Sequence, residues 1–150
     1  MSVFAQMSLE VWIAYAAIAG LCVGSFLNVI AYRLPLMMQA QWDADLREAN
    51  GEEPKPGPTF NLMVPRSHCP ACKTPIKFWH NIPVLGFLIL KGRCAHCGKP
   101  FGWRYPAVEL FTGLSFGALA YAHPPSFLAI ALMAFSAALI ALALIDLEDR

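Results

Sequence analysis

The sequence predicts an all-α polytopic membrane protein: three transmembrane helices, with one small water-exposed module between the first and the second. Three observations carry this reading. Apolar residues make up 57% of the 150 residues and charged residues only 14%, with a mean hydropathy of +0.50; a soluble domain carries about 25% charged residues. Two stretches of at least 20 residues hold no charge. Of the eleven lysines and arginines, ten fall between Arg33 and Arg104, so the polar character is gathered into one segment. The net charge of +1 by itself says nothing about partners.

The first apolar stretch, VWIAYAAIAGLCVGSFLNVIAY at 11–32, runs 22 residues without a charge. A secretory signal is the competing reading. No basic residue precedes the stretch, however, and it is long for a signal core, so a transmembrane helix is expected. Residues 36–50 (LMMQAQWDADLREAN) read as a short separate amphipathic helix, either lying at the membrane surface or plainly solvated. Residues 52–58 (EEPKPGP) cannot hold a helix and read as a stiff linker. The run NIPVLGFLIL at 81–90 is apolar but too short to span, and is expected as a buried or membrane-facing piece of the module. The second span, PAVELFTGLSFGALAYA at 106–122, is shorter and contains Glu109. The third, at 126–145, is uncharged for 20 residues, which at about 1.5 Å per residue gives the ~30 Å of a hydrocarbon core.

Basic residues set the orientation. Segment 33–105 holds ten, while residues 1–10 and the turn at 123–125 hold none. By the positive-inside rule the segment is cytoplasmic and the N-terminus lies outside. The second helix then runs outward, and the third returns to the cytoplasm near Asp146, with Arg150 on the same side.

Inside that segment the chain reads Cys69-x-x-Cys72, then twenty-one residues, then Cys94-x-x-Cys97. Two such pairs form the four-thiolate zinc pattern, with a gap just beyond the usual ~15–20 residues. Each tight turn aims two sulfurs at one ion, and Pro70 and Gly98 suit such turns. A cytoplasmic segment is kept reduced, which disfavours structural disulfides. A redox Cys-x-x-Cys is the other reading, but it occurs singly and beside a βαβ pattern, which is missing here. A zinc-ribbon-like module is therefore expected, folding around its metal. His68 and His96 are read as solvent-facing neighbours of the ligands, and Cys22 as a packing residue of the first helix. Metal at about one per chain without a reactive thiol pair would dispose of a membrane thiol oxidoreductase.

Only two carboxylates fall in or at the spans, and ionisable groups at such depth point to function by default. Glu109 is expected to pair with Arg104 at the interface. Asp146 ends the third apolar run; it is either a functional group or an ordinary interfacial charge, since Glu148, Asp149 and Arg150 follow at once.

Several stretches coincide in order with one family. GSFLNVI at 24–30, RLP at 33–35, NLMVPRSHCPAC at 61–72, WHNIP at 79–83, RYPAVEL at 104–110 and ALIDLED at 143–149 together resemble the bacterial type IV prepilin peptidases, and the likeness covers nearly the whole chain. It implies a bifunctional aspartic endopeptidase and N-methyltransferase of the bacterial inner membrane, with a periplasmic N-terminus. Such an enzyme cuts the leader from type IV prepilins and type II secretion pseudopilins, then methylates the new N-terminus with S-adenosylmethionine. The resemblance makes Cys69, Cys72, Cys94 and Cys97 structural zinc ligands and Asp146 the first catalytic aspartate. It implies prepilin, pseudopilin and lipid partners and no nucleic acid. The family's second aspartate sits in a Gly-x-Gly-Asp motif that these 150 residues do not contain. The chain is therefore expected to be the N-terminal part of such an enzyme, inactive alone. No Gly-rich cofactor loop is visible, so methyl transfer rests on the resemblance. The runner-up is a membrane-anchored zinc module that recruits pilus or secretion components without catalysis.

Overall fold

The structure, a computed structural model, describes residues 6–148; Asp149 and Arg150 of the sequence reading lie outside them. Four α-helices follow in order: α1 at Leu9–Ala49, the short α2 at Leu85–Ile89 after a 3₁₀ turn at Phe78–Asn81, α3 at Arg104–Ala122 and α4 at Phe127–Glu148. Among the described residues no strand forms, and the only bridges are His68 to Pro75 and Arg93 to Pro100. The module is thus two knuckles rather than a strand-built ribbon.

Helix α1 starts where Ser8 accepts the Val11 N–H on its hydroxyl, with Glu10 in the favourable first turn. It ends in a Schellman arrangement, with the Gly51 N–H on the Glu48 carbonyl and the Glu52 N–H on the Arg47 carbonyl, and Gly51 at φ +74°. Between these caps it runs 41 residues without a break. The separate helix expected at 36–50 is therefore a continuation of α1 through Pro35. Proline removes one backbone donor, and the strong helix formers that follow, Leu36, Met37 and Met38, outweigh that single loss. At ~1.5 Å per residue α1 is about twice the thickness of a hydrocarbon core. Its final turns extend beyond the bundle, with every residue from Met38 to Leu46 exposed.

The bundle is α1, α3 and α4, each antiparallel or parallel to the next as their contacts dictate. Trp12 donates its indole N–H to the His123 carbonyl at 3.0 Å, and Asn28 donates to the Tyr105 carbonyl at 3.1 Å. These two bonds set α1 and α3 antiparallel. Helix α4 runs back alongside α1: Ala129 and Met133 pack with Trp12, Ala16, Phe116 and Ala120, while Leu144 packs with Leu27, Ala31 and Val108. Helices α1 and α4 are each long and apolar enough to cross a membrane; α3 is diluted by Glu109 and Pro106.

What α1 buries is chosen by size. Its buried residues Trp12, Ala16, Gly20, Gly24, Asn28 and Ala31 form one stripe at three- and four-residue spacing, on a helix that is apolar all round over its first half. Small residues let two backbones approach where lipid offers no hydrophobic contrast. A Cβ on Gly20 would sit 2.7 Å from the Thr112 carbonyl oxygen, and one on Gly24 would sit 2.8 Å from the Glu109 Cα. Backbone atoms cannot rotate away. Gly24→Val is therefore expected to destabilise the bundle by about 3 kcal/mol, the upper end for overpacking, read as a lower melting temperature in detergent. Gly57→Val, with nothing within 4 Å, is the control; equal melting of the two variants would refute the close approach. Cys22, expected to pack, instead faces outward and is exposed.

Candidate metal centre and junctional cavity

The two Cys-x-x-Cys pairs fold into the same knuckle twice, offset by 25 positions. In the first, the Cys69 N–H bonds the Thr74 carbonyl and the Lys73 N–H bonds the Cys69 carbonyl; in the second, the Cys94 N–H bonds the Lys99 carbonyl and the Gly98 N–H bonds the Cys94 carbonyl. Both turns need a left-handed residue, which is Lys73 at φ +61° in one and Gly98 at φ +70° in the other. Glycine adopts that conformation freely and lysine does so at a cost.

The knuckles face each other and bring all four sulfurs within 4.8 Å of one another. Cys69 Sγ lies 3.7 Å from Cys97 Sγ, and Cys72 Sγ lies 3.7 Å from Cys94 Sγ. A zinc ion with ~2.3 Å bonds to four sulfurs in a tetrahedron would set them about 3.8 Å apart. The cluster has the dimensions of a four-thiolate site and can hold a metal ion. Its acid–base character fits the same conclusion. The Thr74 hydroxyl and amide pull the Cys72 thiol down to about 5. The Cys97 and His96 amides lower Cys94. At Cys97 the Lys99 amide favours the thiolate, but desolvation and the neighbouring sulfurs outweigh it and push the thiol up to about 11. Four sulfurs this close repel one another as thiolates, and a bound dication removes that conflict. His68 turns Nδ1 toward the Arg66 carbonyl at 2.9 Å and His96 is exposed; neither belongs to the cluster.

The module is docked on the bundle by polar contacts that the sequence reading missed. Arg33 is 8% exposed and donates to the Asn61 carbonyl at 2.9 Å and the Pro65 carbonyl at 2.7 Å, with its guanidinium over the Phe60 ring. Asn61 in turn holds the Met63 and Val64 amides on its side-chain oxygen. The available signal was polar residues within or at the edge of an apolar run, namely Ser25, Asn28 and Arg33.

Between bundle and module lies a cavity of about 550 Å³. Ser25, Asn28 and Glu109 line its helix end, and Cys69, Phe87 and Phe101 its module side. Glu109 is 9% exposed and accepts the Val84 N–H at 2.7 Å, with Ser25 beside it. The expected Glu109–Arg104 pair does not form. Arg104 reaches the other way, to the Glu148 carboxylate and to the Leu144 carbonyl at 3.3 Å, because five residues of α3, nearly one and a half turns, put the two side chains on different faces. Asp146 falls between Leu144 and Glu148 in sequence, in the last turn of α4, is exposed, and is not part of the cavity wall.

Fold and site define a class of protein: a helical bundle with two helices able to cross a membrane, capped by a module whose four clustered cysteines could hold a metal ion. The chain belongs to the family described as the bacterial peptidase A24 N-terminal domain, whose model matches residues 18–123. It is 44% identical over 153 aligned positions to a protein of Burkholderia pseudomallei named prepilin leader peptidase/N-methyltransferase, covering 99% of this chain and 49% of that one. A protein of the same name from Pseudomonas aeruginosa is 45% identical over 132 positions, covering 87% of this chain and 46% of its own length. A type 4 prepilin-like proteins leader peptide-processing enzyme of Escherichia coli is 44% identical over 135 positions, covering 90% and 49%. The chain thus spans about half the length of the curated relatives it matches. No solved structure matches it.

Proposed function

We propose that this chain is the N-terminal half of a bifunctional prepilin leader peptidase and N-methyltransferase of the bacterial inner membrane. The observation that carries the reading is the likeness over 99% of the chain to proteins of that name. In this reading α1, α3 and α4 all cross the bilayer. Support for α3 comes from its place in the bundle: 19 residues, bonded to α1 near both ends, have to traverse whatever α1 and α4 traverse. The basic residues between Arg33 and Arg104 then set the module in the cytoplasm and the N-terminus in the periplasm.

The four cysteines hold a structural zinc ion. Asp146 is the first aspartate of a catalytic pair. Hydrolysis by water needs one carboxylate to take a proton and a second to give one, and two adjacent aspartates share a proton because both cannot ionise; the second comes from the remainder of the protein. Prepilins and type II secretion pseudopilins are the substrates. For the second activity, S-adenosylmethionine supplies the methyl group when bound. The junctional cavity fits such a molecule in volume, since small-molecule sites span about 300–1,000 Å³. It fits in chemistry too, with the Glu109 carboxylate for a cationic group and Phe87, Phe101 and Tyr105 for a flat base and a sulfonium.

The test is a chimera. Joining this chain to the C-terminal half of the Pseudomonas aeruginosa relative is expected to restore prepilin cleavage in a strain lacking its own peptidase, while the 150-residue chain alone leaves prepilin uncut. A chimera that inserts and binds zinc yet leaves prepilin intact, when the relative's own rejoined halves cut it, would sink the reading and favour a non-catalytic membrane-anchored zinc module.

A further inference from the structure

We infer that the segment from Phe78 to Leu90 is a membrane hook, which enters the cytoplasmic leaflet at the depth of Glu109 and lays Leu85, Leu88 and Ile89 against lipid. The inference rests on α1 and α3 being membrane helices and is independent of the catalytic reading. Two rulers bracket the depth. Glu109 lies three residues past Pro106, where the apolar run of α3 begins, which is about 5 Å along the helix. On α1 it is level with Gly24, whose Cβ would touch the Glu109 Cα. Gly24 lies eight residues inside the charge-free run that ends at Tyr32, or about 12 Å. The Val84 N–H is bonded to Glu109 at 2.7 Å, so the N-terminus of α2 is held at that level. Interfacial helices bury their apolar face about 5–10 Å deep.

The outward face of the hook suits hydrocarbon. Leu88 is 62% and Ile89 60% exposed, and Leu85 is exposed beside them, which makes an exposed apolar patch. Much of its backbone is bonded within the segment, as suits lipid: the Gly86, Leu88, Leu90 and Gly92 amides bond the Ile82, Val84, Gly86 and Phe87 carbonyls. The Val84 amide leaves the segment, and Glu109 takes it. Val84 adopts φ +59°, ψ −48° to aim it, a sparsely populated conformation for a β-branched residue that holds only where the surroundings enforce it. Cations stand at both ends, with Lys77 before the hook and Lys91 and Arg93 after it; their long stems let the charges reach the headgroups. Trp79, under the Lys77 ammonium at 5.3 Å, and the exposed Trp103 fit the aromatic belt at such an interface.

The test places a new tryptophan on the hook. The Leu88→Trp chain is reconstituted in nanodiscs containing lipids brominated near the top of the acyl chain, and its emission is read against the parent chain. The added emission is expected to fall roughly twofold or more on bromination, as befits a side chain in the upper acyl region. Zinc content shows that the module is folded, and Ile89→Trp replaces the first variant if Leu88→Trp loses its metal. Phe111→Trp, on the exposed face of α3, reports the span itself. Quenching at Phe111→Trp without quenching at the hook overturns the hook alone. No quenching at either position overturns the hook together with the membrane assignment of α3. Shielding at the hook that depends on chain copies per disc, and not on bromine, means a second chain covers the patch and also overturns the inference.

Discussion

Replacing Cys69 by serine is expected to cost the chain its metal and the order of residues 67–101 together. Cys69 is 2% exposed and is among the largest fully buried side chains of the described residues. The module it anchors has no strand, and α2 is only five residues long. So small an element lacks a core that can offset its chain entropy, and metal binding supplies the difference. Structural zinc contributes about 10–16 kcal/mol in peptide sites of this kind, far more than the ~1 kcal/mol net of a typical hydrogen bond in the knuckles. Zinc in the purified protein should fall from about one per chain to a small fraction of that, and limited proteolysis should open at 67–101 while the bundle helices stay protected. A strong chelator should reproduce the effect on the parent chain. Cys22→Ser, on the outer face of α1, should keep full zinc. Retention of one zinc by Cys69→Ser would remove that sulfur from the ligand set. Loss of zinc with unchanged proteolysis would show that the knuckles fold without metal.

In the chimera described above, Asp146→Asn is expected to lower prepilin cleavage by about 10²–10⁴-fold, the range for loss of a general acid or base. The amide keeps the size and hydrogen-bonding reach of the carboxylate and cannot exchange a proton with water. Zinc content and methylation of an already processed pilin should be unchanged, since Asp146 is not part of the metal cluster or the cavity wall. Glu148→Gln is the informative neighbour. It removes the ion pair with Arg104, whose two side chains are 42% and 35% exposed, and such a pair contributes about 0–1 kcal/mol. Cleavage should therefore persist in Glu148→Gln. Equal losses in the two variants would mean that the end of α4 acts through its structure, and Asp146 would lose its catalytic assignment.

Several differences between the sequence reading and the structure have one origin. The reading paired Glu109 with Arg104 because they are close in sequence; five residues along a helix, however, turn the two side chains toward different partners. Cys22 was read as packing because it lies in an apolar run, but only one stripe of α1 meets α3. Residues 36–50 were read as a helix of their own, and the helix-forming residues after Pro35 carry α1 through them. Arg33 and Asn28 drew no role because their partners, the Asn61 and Tyr105 carbonyls, are 28 and 77 positions away.

The sequence by itself determined what short-range chemistry can encode: apolar runs long enough to span a membrane, the basic segment between them, and two knuckles whose turn residues fold each cysteine pair locally. Only the tertiary structure decided which groups meet. The stripe of small residues on α1 sets the approach and register of α3, and that register brings Glu109 level with Gly24 and within reach of the Val84 amide. The physical reason is that polar groups inside an apolar bundle take the partner that geometry offers, whatever its distance along the chain, because leaving one unpaired costs more than any local preference recovers.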